Sequence, residues 1–394
     1  MHILIIPSEI NIPEISPIWS MFQRRQAQIL ALAGYNIGML CIGQLPFNQL
    51  FKKNIYRKYS ICIEDEVKTG RLYKKRVLPL RFVSERIQNK INNKLALNAF
   101  TEYIKENGIP DLIHAHNCFY AGSIARTIKQ MYNVPYIVTE HSSLFFGALQ
   151  KEQKFLFNQV HKESRNYLAV SQLFARKLMF IADTKNKPIE IINNVLDEIF
   201  ESQEIEQTKQ NGSFTFLNVA NLVDIKNHRL LLEAFAIKFA KTKNIKLRIV
   251  GDGPNKKYLQ KLSLKLNIAD QVNFLGHVNR KQVLHEMQQC DVFLLSSNSE
   301  TFGVVLIEAL SCGIPVISTL CGGPDEIVNK TNGILVEKGN IKAFADAMET
   351  MILKTNEYDP QLIRAECLNK YSKAAFLKNI TKFLKLFQFE IHLK

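Results

Sequence analysis

The sequence predicts an α/β protein built as two open, mostly parallel sheets with helices on both faces. Two observations carry this prediction. Short β-branched and aliphatic runs recur along the whole chain, and each is followed by a polar loop and a stretch of helical periodicity. At 394 residues the chain is long enough for two such sheets with separate cores. A polar segment at 201–213, rich in Glu, Gln, Lys, Asn and Gly, marks the expected junction. The expected division is 1–200, 201–372, and a last helix over 373–394 that packs back on the first domain. Ligands of such sheets bind beyond the carboxyl ends of the strands, and two sheets facing each other would leave a central cleft. Functional residues are therefore expected just after strands.

In the first half the expected strands are 2–6, 37–42, 112–115, 136–139, 167–170 and 189–192. The first, His-Ile-Leu-Ile-Ile, is too short and lacks the basic leader of a signal peptide, so it reads as a core strand. Between 47 and 95 apolar residues step by four: Phe47, Phe51, Ile55 and Tyr59 beside Lys52, Lys53, Arg57 and Lys58, then Val83, Ile87, Ile91 and Leu95 beside Arg86, Lys90 and Lys94. Each set predicts a helix with an apolar stripe next to a basic one. The plainer reading lays the stripe on the core; the alternative lays it on an anionic membrane surface. In the second half the expected strands are 214–219, 247–250, 272–275, 292–295, 316–318 and 334–336. The run Val292-Phe293-Leu294-Leu295 ends in Ser296, Ser297, Asn298 and Ser299, and a helix follows. Gly313 stops that helix as a left-handed cap and Pro315 prevents its resumption. The apolar window from Phe302 to Leu320 is interrupted by Glu308, Gly313 and Pro315, which argues against a membrane span.

The net charge of +15 calls for a negative partner: a phosphorylated substrate, nucleic acid or an anionic membrane. Nucleic acid is disfavoured, because the chain has no zinc-finger spacing, no RNP-like aromatic motif and no glycine-rich basic tail. Seven scattered cysteines show no metal-knuckle or Cys-x-x-Cys spacing, so reduced thiols in a cytoplasm are expected. No internal repeat suggests a solenoid.

Chemistry concentrates in the second half. Glu300 and Glu308 bracket the passage from a polar loop into an apolar helix, Glu300-Thr301-Phe302-Gly303-Val304-Val305-Leu306-Ile307-Glu308. A helix opening after a strand presents unpaired N–H groups and a positive dipole end, which suits phosphate. Carboxylates repel phosphate, so the natural partners of the two glutamates are hydroxyls, and a nucleotide sugar offers hydroxyl pairs on both sides of its diphosphate. Lys226, in the loop Ala220 to His228 after strand 214–219, sits near another helix start, where a cation is unfavourable unless an anion compensates it. Gly251-Asp252-Gly253-Pro254 is a tight strand-to-helix turn, and Gly276-His277-Val278 offers small residues that a flat base could approach.

Taken in order, these pieces resemble the C-terminal domain of GT-B glycosyltransferases, specifically the retaining family 4 (glycosyl transferases group 1), and the resemblance extends over essentially the whole chain. Its most specific element is the E-x7-E motif, Glu300 to Glu308, followed by Gly322-Gly323-Pro324-Asp325-Glu326, which looks like a Gly-Gly-x-x-Glu turn. In the first half, Pro110 to His116 and Val138-Thr139-Glu140-His141 look like the histidine-bearing strand ends of the acceptor domain. Ile192-Asn193-Asn194-Val195 resembles the passage between domains. The resemblance implies a GT-B fold, two Rossmann-like domains with a central cleft. It also implies roles: Glu300 for hydroxyls of the transferred sugar, backbone N–H groups from Phe302 to Leu306 for sugar and diphosphate, Glu308 for the ribose, and Lys226 for the leaving diphosphate. Asn221, Gly251, His277, Thr301, Gly303, Val304 and Val305 complete the donor side. His141 is expected to be catalytic and His116 to lie on the acceptor side. This chain departs from the family pattern at three places. Asn221 stands where an arginine is usual, Asn194 where a glycine is common, tolerable because asparagine accepts positive φ, and the first loop at Pro17 to Phe22 has no glycine.

Cleaving a sugar–diphosphate bond leaves negative charge on the departing oxygen, so fixed donors aimed there lower the barrier. No Asp-x-Asp sits where a cation-dependent transferase would need one, and neither metal nor cofactor is expected. Retention follows from the resemblance alone, and with no carboxylate nucleophile identified a same-face substitution is expected. The expected enzyme is a hexosyl- or N-acetylhexosaminyltransferase, cytoplasmic or peripheral at the inner membrane face. It would use a nucleotide-sugar donor and a glycan or lipid-linked acceptor in cell-surface polysaccharide synthesis such as capsule, O-antigen or exopolysaccharide. The alternatives are a nucleotide-sugar 2-epimerase of the same architecture and a non-catalytic nucleotide-sugar-binding module.

Overall fold

The computed structural model describes residues 1–8, 21–45, 60–64, 67–75, 85–183, 186–205 and 212–391. They form two compact units, Met1–Val195 with Leu377–Lys394, and Leu196–Phe376.

The first unit carries strands β1 (His2–Ile6), β2 (Asn36–Leu45), β3 (Ser60–Glu64), β4 (Val67–Lys75), β5 (Leu112–His116), β6 (Tyr136–Glu140), β7 (Tyr167–Ala169) and β8 (Ile189–Ile191). Their order in the sheet is β3-β4-β2-β1-β5-β6-β7-β8. Every pairing is parallel except β3 with β4. Strands covered on both faces read as continuous apolar runs, which is why Ile3 to Ile6, Leu112, Ile113 and Tyr136 to Val138 are all buried. The β3–β4 hairpin was not anticipated. Its Ile61-Cys62-Ile63 alternation has a period of two, but the four-residue step of the flanking stretches dominates the local pattern.

The second basic–apolar set falls on a helix, Glu85–Asn107, as expected. Its buried face begins only at Leu95 and continues through Ala96, Ala99, Phe100 and Tyr103, while Ile87 and Ile91 are 51% and 41% exposed. The reading that lays the whole stripe on the core is therefore corrected for the first two turns. The other set, Phe47 to Tyr59 with its lysines and Arg57, lies outside the described residues, as do Val83 and residues 17–20 of the first loop.

The second unit carries β9 (Phe214–Val219), β10 (Ile245–Val250), β11 (Val272–Gly276), β12 (Val292–Leu295), β13 (Val316–Thr319) and β14 (Gly333–Val336). Their order is β11-β10-β9-β12-β13-β14, parallel throughout. This is the doubly wound order in which the chain reverses direction between its first and fourth strands, so a crevice opens beyond β9 and β12. Phe216 on β9 packs 5.9 Å from Phe239 and 6.5 Å from Phe235, both on the helix His228–Phe239. Leu231, Leu247, Leu294, Ile317 and Met348 close this core. Each such buried side chain contributes about 1.5–3 kcal/mol, which holds β9 and β12 rigidly enough to position the loops that leave them.

The helix after β12, Val304–Ser311, ends as its sequence predicts, with Gly313 at φ 73° and Pro315 two residues on. Among the described residues, Cys118, Cys290, Cys312, Cys321 and Cys367 are free and buried, and Cys41 is buried. Among the described residues, no helix is long and apolar enough to cross a membrane.

Candidate functional site

Two loops build the centre of the second unit's site. The loop after β9 turns through a short 3₁₀ segment, Asp224–Lys226, and the loop after β12 runs over Ser296 to Gly303. They are stitched together by one backbone and one side-chain bond: Asn298 N donates to Ile225 O at 2.7 Å, and Ser296 Oγ donates to Lys226 O at 2.9 Å. Lys226 Nζ consequently meets Glu300 Oε1 at 2.5 Å, and Ser297 Oγ donates to the same oxygen at 2.8 Å. The anion that compensates Lys226 in the free protein is thus Glu300, a residue 74 positions away.

The Gly-Gly turn explains why the two glutamates come with a glycine pair. Glu300 N donates to Cys321 O and Gly323 N donates to Glu300 O, both at 2.9 Å, so the turn continues the sheet past its last regular pairing. Gly323 lies so close to the loop that a Cβ there would sit 2.2 Å from Phe302 Cα. Asp325 Oδ1 holds the turn by accepting from Cys321 N at 2.8 Å and Gly322 N at 3.1 Å. Gly303, at φ 99°, then opens the helix, and the N–H groups of Val304 and Val305 in its first turn have no intrahelical acceptor. Thr301 is half-buried and Phe302 buried, the latter packed edge-on against Tyr371 at 5.6 Å.

The loops after β9, β10 and β11 converge next to this centre. Leu222 N donates to Asp252 O at 2.9 Å and Gly251 N to Gly276 O at 2.8 Å. Gly251, at φ 136°, has no room for a side chain, since a Cβ would come within 1.9 Å of Ala220 O. Asn221 and His277 are exposed on this loop cluster. The structure therefore brings Asn221, Gly251 and His277 to one rim, and Lys226, Glu300 and Thr301 to Val305 to the crevice.

Glu308 sits deeper, one turn into the helix, and is 1% exposed. Arg280 Nη2 donates to its Oε1 at 2.6 Å, while Oε2 is buried and accepts no bond from the protein. Burial raises the carboxyl pKa and Arg280 opposes the rise. Arg280 also binds Asp197 at 3.2 Å. Neither Arg280 nor Asp197 was found from sequence. Arg280 begins a helix after a capping box made by Asn279 and Gln282, and that local signal says nothing of a partner 28 residues on.

In the first unit, β5 and β6 end side by side and bring His116 and His141 together, Nδ1 to Nε2 at 3.0 Å. His114 Nε2 lies 2.8 Å from Thr139 Oγ1 and its ring is 4.3 Å from that of His116. Burial depresses all three imidazoles, His114 to about 3, His141 to about 4 and His116 well below its usual value, so they are neutral at physiological pH. Fully buried His116 keeps its Nε2 without a partner. The side chain of Asn194 acts on His141, partly offsetting that depression. The expectation that Asn194 uses positive φ fails. Among the described residues other than glycine, positive φ occurs at Asn117, Asn133, Asn227 and Asn267. Asn194 serves through its side chain rather than its backbone.

Glu140, which closes β6, has a role that the sequence does not reveal. It is buried and accepts from Cys118 N at 2.8 Å, Ser142 N at 2.9 Å, His141 N at 3.1 Å and Tyr167 Oη at 2.9 Å. Burial pushes its pKa up to about 7 despite these donors. It fixes the backbone that carries His141. The available signal was a charged residue closing an apolar strand.

Comparison with known proteins identifies the family and the fold. The model of the glycosyl transferases group 1 matches residues 200–366, and that of glycosyltransferase family 4 matches residues 64–198. An uncharacterized glycosyltransferase of Methanocaldococcus jannaschii is 30% identical over 240 residues, 60% of this chain and 64% of that one. N-acetyl-alpha-D-glucosaminyl L-malate synthase of Bacillus anthracis is 33% identical over 179 residues, 44% of this chain and 46% of that one. These matches thus span less than two thirds of either relative's length. Among solved structures, sucrose-phosphate synthase from Thermosynechococcus elongatus superposes with a TM-score of 0.78 at 18% identity, covering 98% of this chain and 99% of that one. The Anabaena protein HepE in complex with UDP-glucose gives 0.71 at 17%, covering 98% and 99%. At these identities the likeness establishes the GT-B fold.

Proposed function

Because this chain belongs to the glycosyl transferases group 1, with glycosyltransferase family 4 in its first part, we propose that it transfers a sugar from a nucleotide-sugar donor to a glycan or lipid-linked acceptor. One observation carries the reading: at the switch point of the second sheet, a lysine, a glutamate and an open helix N-terminus stand together, with a second glutamate one turn below. The lysine and the first-turn N–H groups suit a diphosphate, and the two carboxylates suit hydroxyls on either side of it.

In the proposed reaction an acceptor hydroxyl oxygen bonds to the anomeric carbon as the bond from that carbon to the diphosphate oxygen breaks. The electron pair leaves with the diphosphate, and the hydroxyl proton passes to a departing phosphate oxygen on the same face, which retains configuration. Lys226 and the N–H groups near Val304 stabilise the departing charge. A preorganised donor of this kind is worth about 3–4 kcal/mol, or a hundredfold to a thousandfold in rate. Glu300 holds sugar hydroxyls and must share Lys226 with the diphosphate once donor binds. Glu308 accepts from the ribose. His141 is proposed to contribute to catalysis from the first unit, with His116 on the acceptor side.

The first unit also supports a lipid-linked acceptor at the cytoplasmic face of a membrane, as in cell-surface polysaccharide synthesis. At the carboxyl end of its sheet, the amino-terminal parts of three helices enclose a groove of about 550 Å³ lined in part by Lys90, Asn93, Phe119, Arg126, Lys151 and Phe155. Phe155 is 66% exposed, and Ile87 and Ile91 stand exposed on the same helix as Lys90. Apolar side chains among cations suit an anionic lipid surface.

The test is incubation of the protein with UDP-, GDP- and ADP-linked hexoses and N-acetylhexosamines, with and without a bacterial lipid extract. Acceptor-dependent release of nucleoside diphosphate, with labelled sugar in the lipid fraction, is expected. Interconversion of donors without acceptor would favour an epimerase, and binding without turnover a non-catalytic module.

A further inference from the structure

Arg280 is held on three sides. Its Nη2 donates to Glu308 Oε1 at 2.6 Å, its Nε donates to Asp197 Oδ2 at 3.2 Å, and its guanidinium lies 4.7 Å from the centre of the Phe200 ring. Asp197 is itself anchored, because its other oxygen caps the short helix Glu198–Glu201 by accepting from Ile199 N at 3.3 Å. Phe200 is fully buried. The planar guanidinium therefore has little freedom, and it in turn pins one oxygen of Glu308. A carboxylate fixed at Oε1 by a rigid partner can present Oε2 in only one direction. That Oε2 is buried and accepts no bond from the protein.

We infer that Arg280 is a positioning residue of the donor site: it anchors Glu308 through Oε1 so that Oε2 is presented, charged, to the adjacent hydroxyls of the donor ribose. The inference rests on the proposed role of Glu308. Arg280 itself does not touch the nucleotide in this account; it acts through the carboxylate.

The arrangement has a pH signature. The titratable and charged groups that act on Glu308 are Arg280, which favours its charged form, Asp197, which disfavours it, and Cys312, which interacts with it. Burial already favours the protonated acid. With Arg280 replaced by a neutral side chain, Glu308 takes up a proton at pH values where the native carboxylate is charged. Affinity for ribose hydroxyls should then fall more steeply with falling pH than it does in the native protein.

The experiment is calorimetric titration with UDP, GDP and ADP, carrying forward the tightest binder and its 2′,3′-dideoxy analogue. Arg280→Met should weaken the ribonucleotide about tenfold at pH 7.5, the worth of one charge-assisted hydrogen bond. The loss should grow at pH 6, while the dideoxy analogue binds as it does to the native protein. In a Glu308→Gln background, Arg280→Met should add nothing. Arg280→Lys should restore part of the affinity. Asp197→Asn, which preserves the helix cap, should weaken the ribonucleotide to a smaller degree by loosening Arg280, without the added loss at pH 6 because it removes a charge that disfavours the ionised Glu308, and it serves if Arg280→Met fails to fold. Equal weakening of both nucleotides, a loss that persists in the Glu308→Gln background, or no loss at all would overturn the inference. If Glu308→Gln alone leaves the preference for ribo- over dideoxynucleotide untouched, the role of Glu308 fails as well, and that outcome is distinct from failure at Arg280.

Discussion

Replacing Gly323 with alanine tests whether the Gly-Gly turn sets the geometry of the donor loop. A Cβ at this position would lie 2.2 Å from Phe302 Cα, 2.4 Å from its carbonyl oxygen and 2.6 Å from its carbonyl carbon. All three are backbone atoms, so no side-chain rotation relieves the clash, and the loop Glu300 to Gly303 has to move away by roughly an ångström to reach ordinary contact. Overpacking of this kind costs about 1–3 kcal/mol. The shift also strains the Gly323 N to Glu300 O and Glu300 N to Cys321 O bonds, each 2.9 Å long and each worth about 1 kcal/mol. The expected destabilisation of the second unit is therefore about 2–5 kcal/mol, with loss of nucleotide binding even in molecules that remain folded, because the displaced loop carries both Glu300 and the helix start. Denaturant melts followed by circular dichroism, alongside calorimetric titration with UDP, GDP and ADP, measure the two effects. Gly147→Ala is the control, since its Cβ would lie 3.5 Å from the nearest atom, Leu144 O, and should change neither. A Gly323→Ala protein with native stability and native nucleotide affinity would refute the reasoning.

Two further predictions concern the first unit. Glu140, with a native pKa of about 7 against an ordinary value of 4.5, binds its proton more tightly when folded. Its contribution to stability is complete below about pH 4.5 and is lost as pH rises through 7, a change of about 3 kcal/mol. The buried histidines slope the other way, because their depressed native pKa values make stability rise with pH toward 6.5. The difference between native protein and Glu140→Gln, measured by denaturant melts from pH 4.5 to 8, isolates the carboxyl, and parallel pH profiles would contradict its burial as a titrating acid. For the exposed stripe, sedimentation with anionic vesicles should show binding that weakens with salt and drops severalfold in Lys90→Gln/Lys94→Gln and in Ile91→Ser. Equal binding to neutral vesicles would remove the membrane reading.

Much of the fold is legible because parallel strands covered on both faces leave an unmistakable apolar run. Each of the twelve expected strands is present, with ends displaced by at most three residues. The site is legible where it follows strand ends: Lys226, Glu300 and the Gly-Gly turn lie in loops whose position a doubly wound sheet dictates. What stayed hidden depends on partners remote in sequence. Nothing near Arg280 announces Glu308 or an aspartate 83 residues earlier, and nothing near Glu140 announces Tyr167. The Lys226–Glu300 bond belongs to the same class: each residue was selected for a ligand, and their contact with each other appears only once the two loops are folded. Asn194 shows the opposite hazard. A plausible backbone rationale was available from residue type, and the folded chain uses the side chain instead.

The central claim is that the crevice beyond β9 and β12 stabilises a departing diphosphate through Lys226. The most direct measurement is the turnover number of Lys226→Ala with the donor and acceptor identified in the transfer screen, made on protein that melts like the native chain. A fall in kcat of about a hundredfold to a thousandfold is predicted, the worth of one preorganised donor at the leaving group. A kcat within a few-fold of native would contradict the claim.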